Sequence, residues 1–251
     1  MMKGEWRPSG TPLLCTIGNV MIGRASIAEG FGTALLVAAV VGSGIMGERL
    51  AGGNAAIALL ANAFATGAAL VALILTFGPI SGAHFNPVVT GVGALDKRIG
   101  WSAASAFVAM QIIGGILGVL TAHLMFGLPL VMLSSHARSG GAQVFSEFVA
   151  TFGLVSVVVG CARHRVAAAP FAVAAYICAA YWFTASTSFA NPAVTIARAL
   201  TNTFAGIRPG DVPAFIAAQV LGALAARIVM RWLSEAGDLS TGQAAGAPVK
   251  R

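Results

Sequence analysis

Six stretches of this chain are long and apolar enough to cross a bilayer, and that confines the fold sharply. They run over residues 25–46, 55–77, 101–125, 143–161, 167–186 and 212–232. A hydrocarbon core of about 30 Å takes about 20 residues of helix. All six qualify as membrane-spanning helices. Composition agrees: 57% of residues are hydrophobic and 9% are charged, against about 25% charged in a soluble domain.

Two further apolar stretches, 87–95 and 192–200, are too short to span. Each rises about 13 Å as a helix, roughly half the bilayer. Each opens on Asn-Pro, at Asn86-Pro87 and Asn191-Pro192. Asn is a favoured N-cap and Pro a favoured first helical residue, so both pairs read as helix starts. They are candidates for re-entrant half-helices.

The two halves of the chain repeat. Glu29 and Thr33 open the first span as Glu147 and Thr151 open the fourth. Asn86-Pro87-Val88-Val89-Thr90 matches Asn191-Pro192-Ala193-Val194-Thr195. Gln111, Gly114 and Gly118 match Gln219, Gly222 and Ala226. Internal repeats of this kind are a signature of transport proteins. Each half holds three spans, an odd number, so the second half enters the membrane inverted. The two Asn-Pro segments then dip in from opposite faces and meet near the midplane.

With both termini in the cytoplasm, Lys3, Arg7, Arg24, Lys97, Arg98, Arg163, Arg165, Arg227, Arg231, Lys250 and Arg251 lie on the inner side. Arg49, Arg138, Arg198 and Arg208 lie outside. That is the positive-inside bias. It also accounts for the net charge of +7 without nucleic acid, for which no basic face interleaved with aromatics exists. Cys15, Cys161 and Cys178 lack metal-ligand or disulfide spacing, so neither a metal nor a cofactor is expected. A GxGxxG at Gly42, Gly44 and Gly47 follows no strand and is set aside. No HExxH, GxSxG or Walker A occurs, which argues against an enzyme. An ion-coupled secondary transporter is the rival of another class, but it calls for charged pairs near the midplane.

Ser81-Gly82-Ala83-His84-Phe85-Asn86-Pro87, with Asn191-Pro192-Ala193, resembles the paired signatures of the aquaporins and aquaglyceroporins, the major intrinsic protein family. The first triplet is Asn-Pro-Val, a departure from the usual Asn-Pro-Ala. The resemblance spans about residues 25–232 and implies an all-α membrane protein. It would have six transmembrane helices, two re-entrant half-helices and an inverted internal repeat (25–125 and 143–232), between cytoplasmic segments 1–24 and 233–251. The N-terminal 20 residues and the tail from Gly237 read as mobile ends.

The resemblance implies a homotetrameric channel in a bacterial inner membrane, embedded in lipid. Asn86, Pro87, Val88, Asn191, Pro192 and Ala193 would sit at the pore midplane, and Glu29 and Glu147 would brace the re-entrant loops. An outer selectivity filter falls by spacing on Thr66, Ala179, Ser188 and Val194. Most relatives carry arginine where this chain has Val194. A filter without bulk or fixed charge would be wide. Thr195 stands where glycerol channels usually carry aspartate. Together these features resemble the bacterial subset associated with arsenic resistance. Metalloid acids such as arsenous acid, with polyols and water, are the solutes that follow, and a plain water or glycerol channel is the alternative. Arg198 reads as an outer-vestibule residue or as one reaching back to replace the missing arginine. His84 reads as lining the inner vestibule or as bonded within its loop. Tyr181, Trp182 and Phe183 read as an aromatic belt at the outer face.

Overall fold

The computed structural model describes the backbone of residues 12–245 and the side chains of residues 23–234 apart from residue 164. Eight α-helices follow one another among the described residues. They are α1 (Pro12–Leu50), α2 (Ala55–Ser81), α3 (Pro87–Leu95), α4 (Trp101–Met125), α5 (Gly141–His164), α6 (Ala169–Phe183), α7 (Pro192–Arg198) and α8 (Val212–Ala245). Six of them are long and apolar enough to cross a membrane; α3 and α7 are not. The outer helices reach further than the sequence suggests. α1 begins at Pro12, a residue suited to a first helical position, and α8 runs on to Ala245. Helix therefore enters both terminal segments, whose extremities, 1–11 and 246–251, lie outside the described residues.

Each half folds the same way. α1 packs on α2 and α4, and α5 packs on α6 and α8. The short helices tie the halves together, because α3 lies against both α4 and α8, and so does α7. With no hydrophobic force between helices in lipid, close van der Waals contact must supply the association. Small residues permit it. A Cβ on Gly114 would overlap the Gly30 carbonyl, one on Gly118 the Ala34 carbonyl, and one on Gly222 the Phe148 carbonyl. The GxxxG of α4 is thus used inside the chain, on α1.

Gly114→Val is therefore expected to force α1 and α4 apart, at a cost of about 1–3 kcal/mol or more. The purified variant should lose its monodisperse peak in size-exclusion chromatography. A wild-type profile would show that the seam can open without consequence.

Candidate functional site

α3 and α7 begin as their sequences ask. Asn86 and Asn191 are extended N-caps, followed by Pro87 and Pro192 at the first turn. The Asn86 side-chain oxygen accepts from the Val88 N–H at 3.1 Å. That of Asn191 accepts from Ala193 at 3.0 Å and Val194 at 3.3 Å. The side-chain nitrogens then cross between the halves. Asn86 Nδ2 donates to the Ala190 carbonyl at 2.8 Å, and Asn191 Nδ2 donates to the Phe85 carbonyl at 2.7 Å. Each amide uses one of its two N–H groups in this way. Both asparagines line one cavity, into which the second N–H is free to point. The two helix N-termini meet there, so the positive ends of two short helix dipoles face one another.

The loops leading into α3 and α7 are strained in matching places. Ala83 and Phe85 in one, and Ser188 and Ala190 in the other, have φ between 46° and 49°. Side chains rarely tolerate that left-handed region, and something must hold them there. Glu29 and Glu147 do. Glu29 accepts from the His84 and Phe85 backbone N–H groups at 2.9 and 2.6 Å, from Ser81 Oγ at 2.6 Å and from Gln111 Nε2 at 2.8 Å. Glu147 accepts from the Phe189 and Ala190 N–H groups at 2.8 and 2.9 Å, and from Gln219 Nε2 at 2.6 Å. The two glutamines also donate to Thr90 and Thr195. The repeated Glu, Asn-Pro-x-x-Thr and Gln landmarks of each half thus converge on one buried network.

The cavity holds about 420 Å³. Its walls are mainly aliphatic, from α1, α2, α5 and α6, and its polar lining includes both asparagines. His84 lines it beside Asp96 and Arg98, while His84 Nδ1 pairs with Thr90 Oγ1 at 3.1 Å. Both sequence readings of His84 therefore describe the same residue. Asp96 is fixed by Arg227 of α8 at 2.6 Å.

At the other end the structure places Thr66, Ser188 and Val194 on the cavity wall, with Tyr181, Phe189 and Arg198. Ala179 is a correction. It is exposed on the outside of α6 and does not line the cavity. Tyr181 takes that place, 3% exposed, with its hydroxyl 3.2 Å from Thr66 Oγ1. Tyr181 is consequently no part of an aromatic belt, whereas Trp182 and Phe183 are exposed as a belt requires. The expectation of an end without bulk or charge is corrected too, since Tyr181 supplies bulk and Arg198 a guanidinium. The positional reason is the face of α6: Val173, Ile177 and Tyr181, every fourth residue, point inward.

Arg138, between α4 and α5, enters the sequence reading only as an outer-side charge. Its Nε donates to the Gly206 carbonyl at 2.8 Å and its Nη1 to the Ser186 carbonyl at 3.0 Å. Burial lowers its pKa from the ordinary arginine value, partly offset by Glu147 and Tyr181. The rest of this connection is pinned by Met132 and Ser134 N–H groups on the Leu200 and Ala199 carbonyls, 3.0 Å each.

Paired half-helices meeting inside a six-helix inverted repeat, along a cavity lined by both asparagines, define a polytopic membrane channel. The chain belongs to the major intrinsic protein family, whose sequence model matches residues 17–170. It is 55% identical over 210 residues to the aquaglyceroporin AqpS of Rhizobium meliloti (strain 1021), covering 84% of this chain and 90% of that one. It is 30% identical over 220 residues to aquaporin NIP1-2 of Oryza sativa subsp. japonica, covering 83% and 70% of the two chains. The X-ray structure of the aquaglyceroporin from Plasmodium falciparum superposes with a TM-score of 0.65 at 15% identity, over 82% of this chain and 94% of that one. That likeness is one of fold. These relatives are channels, and this protein is a channel of their type, not an enzyme.

Proposed function

We propose that the protein is a passive channel for small uncharged solutes, with metalloid acids such as arsenous acid first among them and polyols and water as co-permeants. It works as a homotetramer in a bacterial inner membrane, with both termini in the cytoplasm. The observation that carries this is Val194. It lines the cavity one position after Asn191-Pro192-Ala193, where the family resemblance implies an arginine that would narrow the path. The similarity to a protein named as an aquaglyceroporin supports a path wider than water alone needs. Thr66, Ser188 and Val194 form the outer filter, with Tyr181 in the role expected of Ala179. Asn86 and Asn191, with Pro87, Val88, Pro192 and Ala193, form the midplane. There a passing hydroxyl accepts from the free amide N–H groups.

Tyr181 also favours a second reading, a plain water or glycerol channel, because its ring takes up space at the same end of the cavity. Stopped-flow light scattering separates the two. Vesicles holding the protein should swell at least several-fold faster than empty ones under inward gradients of arsenous acid and of glycerol. Swelling with glycerol alone would leave the second reading standing and remove the metalloid assignment.

A further inference from the structure

A buried arginine that meets no carboxylate is costly, and ionisable groups inside a membrane protein mark functional places. Arg198 is such a residue. It is 2% exposed and lines the cavity. Its Nε donates to the Ala205 carbonyl, and its guanidinium carbon lies 3.4 Å from the centre of the Phe189 ring. Among the described residues its terminal nitrogens have no hydrogen-bond partner, and the two ion pairs found are Arg208–Asp211 and Arg227–Asp96. Arg138 brings a second guanidinium to 4.9 Å from the same ring centre. Among the described residues its side chain donates only to neutral oxygens, those of Gly206, Ser186 and Thr187. No carboxylate among the described residues lies within ion-pair distance of either guanidinium, and Glu147 acts on both only from further off. The Ser188 hydroxyl, 3% exposed and on the same wall, is also without a partner.

Helix geometry explains how Arg198 comes to serve here. Residues four apart share a helix face, and side chains lean toward the N-terminus. A long side chain at 198 therefore lies over the ground of a short one at 194. Val194 leaves that ground open.

We propose that Arg198, assisted by Arg138, performs charge selection at the outer constriction in place of residue 194. Its field repels protons and metal cations. Its free N–H groups and the Ser188 hydroxyl are donors for the oxygens of neutral solutes. The assignment rests on the channel reading above and adds to it where the charge resides.

The test is proton leak per unit of water flux in reconstituted vesicles, read with an entrapped pH-sensitive dye and with light scattering. Arg198→Gln should raise that ratio about tenfold or more, as expected for removing a unit charge a few ångströms from a passing cation. Arg198→Lys should hold it near wild type. Should Arg198→Gln fail to fold, the double variant Val194→Arg with Arg198→Val moves the charge one turn inward and should keep the leak at the wild-type level. A wild-type ratio in Arg198→Gln, or a raised leak in the double variant, would overturn the proposal. Wild-type vesicles with no water or solute flux above empty ones would instead overturn the channel reading beneath it.

Discussion

Glu147→Ala is expected to destroy the channel by releasing the loop before α7. The carboxylate is fully buried and accepts from two consecutive backbone N–H groups, those of Phe189 and Ala190, as well as from Gln219. Alanine leaves the two backbone donors without partners and leaves Gln219 Nε2 with Thr195 alone. A buried donor so stranded costs about 1–3 kcal/mol, and breaking a buried charged cluster reaches about 3–5 kcal/mol. The loop stores strain besides, with Thr187, Ser188 and Ala190 at φ 59°, 49° and 46°. Without the brace these residues have reason to relax toward negative φ, and the Ala190 carbonyl then no longer meets Asn86. A loss of this size in a chain of 251 residues lowers the melting temperature by roughly 10 °C or more. Detergent-solubilised protein followed by fluorescence during heating should show it, with solute flux abolished. Glu48→Ala, on an exposed side chain of α1, is the control. A Glu147→Ala protein melting within about 2 °C of wild type would mean that the loop holds itself.

The features legible in the sequence were those set by short-range rules. Span lengths, Asn-Pro caps and the spacing of Glu, Asn and Gln landmarks each depend on a few neighbouring residues. The half-helices and the inner spans accordingly appear within a few residues of where the pattern puts them, whereas α1 begins at Pro12 and α8 runs on to Ala245. The misplacement of Ala179 has a different origin. The spacing from Asn191 back to α6 runs through a loop whose length is not fixed by local physics. The helix itself carried a better signal. Phe171, Ala175, Ala179 and Trp182 follow a helical stripe and are exposed, while Val173, Ile177 and Tyr181 form the opposite one. A helical wheel of α6 would have preferred Tyr181, since a tyrosine hydroxyl needs a partner when buried and Thr66 provides one.

Other parts of the site could not be read from spacing. The Asn86–Ala190 and Asn191–Phe85 bonds join residues 104 and 106 positions apart. They exist because the inverted repeat superposes two N-termini. Neither asparagine's local sequence names its partner. Arg138 lies in a connection with no helical period, so nothing in its neighbours marks it as part of the outer mouth. Its place is set by carbonyls at Ser186 and Gly206, on the far side of α5 and α6 in the chain. Arg198 was visible as a charge one turn beyond Val194. Whether it faced the cavity or the surrounding vestibule depended on Phe189 and Ala205, which receive it.

The second large effect is expected from Val194→Arg. Val194 is 5% exposed and lines the cavity with Thr66 and Tyr181. An arginine there must extend along the pore, because α7 and the Asn191 cap fill the space behind it. It also approaches Arg198, one turn away on the same face, so the two like charges compete for one region of low dielectric. The long side chain narrows the passage, and the doubled charge tightens the water held there. Flux of glycerol-sized and metalloid solutes should fall about tenfold or more, while water, needing a narrower path, falls less. A missing or ill-fitting group at such a constriction shifts discrimination by amounts of that order. Stopped-flow measurements of both fluxes on the same vesicles give the ratio directly. A parallel decline in water and solute would point to a damaged fold. Both fluxes unchanged from wild type would show that the narrowest point lies elsewhere along the cavity, beside Tyr181 or at the midplane asparagines, and that Val194 merely flanks it.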